Sequence, residues 1–137
     1  MNAPLLLDTC AAIWITTEQI SPEVMVAIDH AREDGEDIYL SPISAWEIGL
    51  LVARGRLNLA MSPERWFSRL LQAPGLQLAD MPPEILIESS FLPGSPPRDP
   101  ADRILAATAR AYGYALVTRD RLLLNYAREG HMAAMSC

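Results

Sequence analysis

The chain has 137 residues, half of them hydrophobic, which is typical of a folded protein with a substantial core. We therefore expect residues 1–137 to form a single domain. The net charge is −6 and all 11 basic residues are Arg, which excludes a general basic coat for nucleic acid but not an enzyme that attracts phosphate through bound cations. No apolar run is long enough to span a membrane and the N-terminus lacks a signal-peptide pattern, so we expect a cytoplasmic protein without membrane contact.

The first predicted strand is the apolar run Leu5-Leu6-Leu7, which ends at Asp8-Thr9. An unbroken apolar run indicates a strand that is buried on both faces, in the middle of a parallel sheet. Residues just past the carboxyl ends of such strands line the ligand crevice of α/β proteins. Asp8 is therefore the first candidate functional residue, and a metal ion or a distant side chain must compensate the cost of burying its charge.

Three predicted helices share the same N-terminal pattern, a Ser that can cap the helix followed by a first-turn Pro. They begin at Ser21, Ser41 and Ser62 and end near Gly35, Gly55 and Gly75. Residues 38–40 form a short strand after the first of these helices, and residues 76–79 are a candidate edge strand after the third.

The second half of the chain continues the alternation of helices and strands. A helix begins at Pro82-Pro83, the loop 92–97 follows, and a further helix ends at Gly113. Residues 115–117 form a second buried strand, residues 122–126 a short helix and residues 131–135 a candidate final strand. The alternation indicates an α/β fold with a mostly parallel sheet covered on both faces.

Four carboxylates stand out by their positions: Asp8 and Asp120 follow the two buried strands, Glu47 lies on the second Ser-Pro helix, and Asp102 lies in the first turn of its helix. Clustered acids repel one another, so such a group is best explained by divalent cations bound among them. Oxygen ligands without a His or Cys pair favour Mg²⁺ or Mn²⁺ over zinc. Such ions activate water and stabilise phosphoryl charge.

Each acid also has a structural interpretation. Asp99 and Asp102 suit the N-terminus of a helix, where an acid caps the chain or faces the helix dipole. Asp120 can cap the last helix in the same way, and Glu47 can be a solvated helical side chain. For Asp8 we expect few structural roles that would compensate the free-energy cost of burying a carboxylate at the end of a strand.

Four short motifs occur in a characteristic order. They are Leu7-Asp8-Thr9, Ser44-Ala45-Trp46-Glu47-Ile48, Asp99-Pro100-Ala101-Asp102-Arg103 and Leu116-Val117-Thr118-Arg119-Asp120. In these motifs the chain resembles PIN-domain ribonucleases, specifically the VapC-type toxins of bacterial toxin-antitoxin pairs, over nearly its whole length. Any one motif is weakly specific, whereas four in this order are strongly specific.

The resemblance implies a five-stranded sheet of order 3-2-1-4-5 in an α/β/α arrangement, a Mg²⁺- or Mn²⁺-dependent endoribonuclease, and inhibition by a cognate VapB-type antitoxin. It also implies site residues. The implied catalytic acids are Asp8, Glu47, Asp102 and Asp120, of which Asp8, Asp102 and Asp120 hold the metal; Thr118, Asp99 and Thr9 support them. The chain departs from the family pattern at Cys10 and Arg98, where the family often has His.

Three further expectations concern partners. Arg98, Arg103 and Arg119 adjoin the acidic motifs and are candidate contacts to the RNA substrate. A homodimer is expected because Trp46, Trp66 and Phe67 are many aromatics for one side of a small domain. An Arg or Lys of the antitoxin is expected to enter the acidic crevice, anchored by the apolar residues that flank Glu47.

Two alternative functions remain open. A PIN-like domain that has lost catalysis could serve only as a protein-binding module, although the presence of all four acids argues against decay. A flavodoxin-like phosphoacceptor domain would need a Lys near the last strands, and the sequence contains no Lys.

Overall fold

The computed structural model describes residues 3–17 and 19–137, and a five-stranded sheet lies at its centre. The strands are β1 (Leu5–Leu7), β2 (Ile38–Leu40), β3 (Leu76–Leu78), β4 (Ala115–Thr118) and β5 (Ala133–Ser136). Their order is β3-β2-β1-β4-β5, and each neighbouring pair is parallel. The predicted order is confirmed, and both candidate strands are present.

Seven helices occur in the described ranges. They are α1 (Thr9–Thr17), α2 (Pro22–Glu33), α3 (Pro42–Ala53), α4 (Pro63–Leu71), α5 (Pro83–Glu88), α6 (Pro100–Tyr112) and α7 (Arg121–Arg128). Helices α2 to α7 match the predicted helices to within a few residues. No helix among the described residues has the length and apolar character needed to cross a membrane.

Local sequence explains where the helices begin. The hydroxyls of Ser21, Ser41 and Ser62 accept hydrogen bonds from backbone N–H groups at 3.4, 3.1 and 3.3 Å, and a Pro follows each cap. These caps satisfy N–H groups that have no partner within the helix. Gly113 ends α6 with φ = 71°, a backbone conformation that glycine adopts without steric cost.

Helix α1 was not predicted from the sequence. It begins immediately after Asp8 and buries Thr9, Ala11 and Ala12. The stretch carries apolar residues on nearly every position, so it lacks the helical periodicity on which the other helices were recognised.

The hydrophobic core lies on both faces of the sheet because β1 alternates between them. Leu5 and Leu7 pack in a cluster with Val24 and Ile28 of α2 and Leu70 of α4. On the other face, Leu6 packs with residues of β4, α6 and α7, namely Leu105, Ala106, Ala109, Leu116, Leu123 and Tyr126. Helices on both sides of one sheet form the three-layer α/β/α arrangement.

The carboxyl ends of the central strands meet at one edge. Leu7 pairs with Leu40 of β2 and with Val117 of β4, so the residues that follow these strands are neighbours. β1 lies between β2 and β4, so the strand order runs outward from β1 in both directions. The edge at the carboxyl ends of these strands is therefore the switch point where ligands bind in open α/β sheets.

Candidate active site

Asp8 lies at the end of β1 and is buried, with 7% of its surface exposed. Its Oδ1 accepts a hydrogen bond from the N–H of Ala11 at 2.7 Å, so the carboxylate caps α1. Burial raises the pKa of Asp8, against hydrogen bonds from the Thr118 hydroxyl and the Ala11 N–H that lower it. We expected few structural roles for Asp8, and this expectation was wrong. Asp8 caps α1, a helix that the sequence did not predict.

Glu47 is oriented by a short chain of hydroxyl groups. The Thr9 hydroxyl donates to Glu47 Oε1 at 2.5 Å, and Thr9 Oγ1 lies 3.0 Å from the hydroxyl of Ser44, which is fully buried. A hydroxyl has one proton, so Ser44 is the donor to Thr9 while Thr9 donates to an ionised Glu47. Burial raises the pKa of Glu47, the Thr9 hydrogen bond lowers it, and the charges of Asp99 and Asp8 raise it further.

Asp102, in the first turn of α6, has a strongly perturbed carboxyl group. Burial and then the negative charges of Asp99, Asp120, Glu47 and Asp8 raise its pKa from 3.8 to about 7. The folded chain therefore holds a proton on Asp102 more tightly than a free Asp would, as expected where burial and like charges disfavour the ionised carboxylate.

Asp120 and Asp99 cap helices, as their structural interpretations predicted. Asp120 Oδ2 accepts from the N–H of Leu123 at 3.2 Å, and Asp99 Oδ1 accepts from the N–H of Ala101 at 3.3 Å. Both still lie close enough to Asp102 to raise its pKa. The hydroxyl of Thr118, fully buried, accepts from the N–H of Asp120 at 3.0 Å and bonds Asp8, so it links two acids.

The acids form one electrostatic group but not a closed metal cage. Within the described residues, no three Asp, Glu, His or Cys side chains converge as ligands of one ion. An all-oxygen donor set nevertheless fits Mg²⁺ or Mn²⁺, because Mg²⁺ keeps several waters and needs only one or two protein carboxylates. The donor chemistry fits a hard divalent cation.

The three candidate RNA-contacting arginines lie in different surroundings. Arg103 donates to the backbone carbonyls of Ser89 and Pro97 at 2.8 and 3.1 Å, so its guanidinium anchors the loop before α6. Arg98 is exposed. Arg119 lies over the ring of Trp14, with 3.9 Å from its Cζ to the ring centroid.

Cys10 occupies a position beside the acids. Although the residue is exposed overall, desolvation of its thiol and the charges of Asp8 and Glu47 raise the pKa of Cys10 to about 11. The thiol is protonated at neutral pH and adds no negative charge to the site.

A family model described as PIN domain matches residues 5–129. The chain belongs to the PIN domain family. This confirms the resemblance inferred from the four motifs, and it agrees with the sheet order.

Individual relatives give the same result. This PIN domain is 34% identical over 124 residues to Ribonuclease VapC22 of Mycobacterium tuberculosis, covering 89% of this chain and 91% of that protein. A crystal structure of VapBC2 from Rickettsia felis, bound to a promoter DNA fragment, shares the fold with a TM-score of 0.69 and 14% identity, covering 96% and 97% of the two chains. FitAcB from Neisseria gonorrhoeae matches with a TM-score of 0.56 and 25% identity, covering 96% of each chain.

Sequence reasoning on this PIN domain missed Ser44 as a member of the site. The signal was available: Ser44 lies three residues before Glu47, so the two side chains share one face of α3. The contact of Ser44 with Thr9, 35 residues away in sequence, is a tertiary feature that the helical spacing does not reveal.

The pKa of Asp102 predicts how stability depends on pH. Folding raises the pKa of Asp102 from its ordinary value of 3.8 to about 7. The folded chain therefore binds this proton more tightly than the unfolded chain does. The free energy of unfolding falls as the pH rises between these two values. We expect Asp102→Asn, in EDTA, to be more stable than wild type by about 1–2 kcal/mol at pH 8 after solvent screening is allowed for. The difference should shrink toward pH 4.

Urea unfolding at pH 4, 6 and 8 measures this difference. Asp29→Asn, on the exposed surface of α2, is the matched control, because it makes the same exchange away from the acidic group. A pH-independent difference for Asp102→Asn would mean that neither burial nor the neighbouring acids perturb the carboxyl group.

Proposed function

We propose that this PIN domain is a metal-dependent endoribonuclease that acts as the toxin of a toxin-antitoxin pair and hydrolyses RNA phosphodiester bonds. The observation that carries the proposal is the group of mutually repelling acids at the carboxyl edge of β1 and β4, with the pKa of Asp102 raised to about 7. The 34% identity to Ribonuclease VapC22 supports RNA as the substrate. We propose that the protein acts in the cytoplasm, where such RNA lies.

The proposed metal ligands are Asp8, Asp102 and Asp120, with Mg²⁺ or Mn²⁺ as the ion. Burial, and then the charges of the neighbouring acids, raise the pKa of Asp102, and a divalent cation would offset both effects. When bound, such an ion supplies an activated water and stabilises the charge that builds on the phosphoryl group. Within the described residues no three such side chains converge on one point, so one or two of these acids would bind the ion directly and the others through its waters.

The surrounding groups of the chain hold the acids ready for this chemistry. The Ala11 N–H fixes Oδ1 of Asp8, and the Thr118 hydroxyl also bonds this carboxylate, so the side chain is held in place at the end of β1. The Thr9 hydroxyl fixes Oε1 of Glu47, and the raised pKa of Glu47 suits a group that takes a proton from an attacking water. We propose Glu47 as that base.

Of the arginines, Arg98 remains a candidate RNA contact, since it is exposed and adjoins Asp99. We assign Arg103 to the loop it anchors rather than to RNA, because its hydrogen bonds to backbone carbonyls occupy the guanidinium.

We expect Asp8→Asn to lower RNA cleavage at least about 100-fold while the protein stays folded, because the change removes a ligand charge but keeps a side chain that can cap α1. Cleavage of a mixed RNA pool with Mg²⁺ or Mn²⁺ is the measurement, and excess EDTA should stop the wild-type protein equally well. Asp29→Asn is the control with unchanged cleavage. Full activity of Asp8→Asn, or of wild type in EDTA, contradicts the assignment, and an inactive wild type with bound metal would favour the catalytically silent binding module.

A cognate antitoxin is the proposed protein partner. An acidic cluster attracts a basic side chain, and the planar fork of Arg can meet two carboxylate oxygens at once. The apolar surface beside Glu47 supports an anchor: Trp46 is 55% exposed, and Ile43 and Leu50 on the same helix are half-buried. We propose that the antitoxin tail lies along α3 and inserts an Arg or Lys among the acids.

We expect one Arg or Lys of the tail to be essential for inhibition. Each is changed singly to Ala in a purified complex, and RNA cleavage and divalent-ion binding are measured. The expected result is that one change restores both. Trp46→Ala in the toxin should weaken the complex without reducing cleavage by the toxin alone. If no tail change restores cleavage or alters ion binding, the antitoxin inhibits by covering the RNA groove instead.

A homodimer stays a prediction, with a different basis from the aromatic residues first considered. Trp66 and Phe67 are half-buried and pack against the core, whereas Ile87 and Phe91 are 62% and 79% exposed. Large exposed apolar side chains of this kind are typical of interfaces. We expect a dimeric mass in light scattering at micromolar concentration without antitoxin, and a monomeric mass would contradict it.

A further inference from the structure

Arg119 is held in a defined position next to the acidic cluster. Its Cζ lies 3.9 Å from the centroid of the Trp14 ring, within the range of a cation–π contact. Its Nη2 donates a hydrogen bond to the carbonyl of Cys137 at 2.7 Å. Trp14 itself packs against the core cluster that contains Leu5 and Leu7. The guanidinium is thus supported on one face by a ring that the core fixes, and along one edge by the backbone.

The position of this pair follows from the two elements that build the site. Trp14 lies on α1, five residues after Thr9, which is about 7.5 Å along the helix axis. Arg119 lies between Thr118 and Asp120 in sequence. The positive charge of Arg119 also lowers the pKa of Asp8, so the guanidinium is within electrostatic range of the central acid. A strand of RNA whose phosphate reaches Asp8 therefore passes close to Arg119.

A purely structural clamp does not account for the surroundings of Arg119. The residue is exposed, and among the described residues it forms no salt bridge and one side-chain hydrogen bond of the five that a guanidinium can donate. A planar cation that lies on an aromatic ring, in a residue that is exposed, has the character of the stacking surfaces that proteins offer to unpaired RNA bases.

We propose that Arg119, supported by Trp14, is a stacking platform for a nucleobase of the RNA substrate beside the scissile phosphate. This inference rests on the proposed function, because it takes RNA as the substrate. It adds a contact that the acids cannot provide. The guanidinium stacks on a base, and this contact positions the adjacent phosphate next to the acids. Stacking is sequence-tolerant, since every base has a π face, so the platform contributes affinity more than base identity.

The test compares two RNAs, with and without bases, in their binding to the wild-type protein and to its variants. A labelled single-stranded RNA of eight nucleotides and the same RNA with abasic riboses throughout are titrated with the full chain in EDTA, and binding is followed by fluorescence anisotropy. Arg119→Lys keeps the charge but loses the planar group. We expect wild type to favour the base-containing RNA, and Arg119→Lys to reduce that preference by about tenfold. Trp14→Leu should reduce it in the same direction.

Arg32→Lys on α2 is the matched control, because it makes the same exchange on a helix that leads to the opposite edge of the sheet, and it should leave the preference unchanged. Arg119→Lys tests the proposal even if Trp14→Leu fails to fold. Equal weakening of both RNAs by Arg119→Lys would make Arg119 a phosphate contact and overturn the proposal, as would an unchanged preference or a wild type that binds the two RNAs equally. Gel analysis of the RNA after each titration reports separately on the nuclease: cleavage in EDTA contradicts metal dependence but not the stacking contact.

Discussion

The placing of several carboxylates where they lose water and repel one another is the constraint on which the rest of this structure depends. Asp8, Glu47 and Asp102 all lose water on folding, and burial is the largest cause of the raised pKa of each. The parallel sheet brings Asp8 close to Asp120, because the carboxyl ends of β1 and β4 are in register. Helices α3 and α6 add Glu47 and Asp102 to the group. A fold that places acids in this way stores unfavourable electrostatic energy that a bound cation can relieve. The stability of the protein and its proposed chemistry are therefore linked through the same residues.

Hydrogen bonds from hydroxyl and backbone N–H groups offset part of the cost of placing the acids together, but they do not neutralise the negative charge. Helix N-termini offer N–H groups to Asp8, Asp99 and Asp120, so three acids of the group also cap helices. A capping role and membership of the acidic cluster are therefore not alternatives, because the same side chains have both.

The sheet was predictable because its signals are local. The apolar runs at β1 and β4 specify buried strands, and Ser-Pro pairs specify three helix starts, each within a few residues. Helix α1 was missed because its apolar residues lack periodicity and because its cap, Asp8, was considered only as a catalytic acid. The positions of Asp8 and Asp120 were also predictable from strand ends. The contacts of Thr9 with Ser44 and of Arg119 with Trp14 were not, since they join residues 35 and 105 positions apart and depend on how helices pack.

The central claim is that the acids act as one site for a divalent cation, and the most direct measurement is the free energy of unfolding as a function of Mn²⁺ concentration for wild type and Asp8→Asn. Without ion, Asp8→Asn should equal or exceed wild type in stability, because it removes a charge whose burial is unfavourable. With ion, wild type should gain about 1.4 kcal/mol for each tenfold rise in concentration above its dissociation constant, and Asp8→Asn should gain much less. Equal gains in the two proteins, or no gain in wild type, would contradict the account.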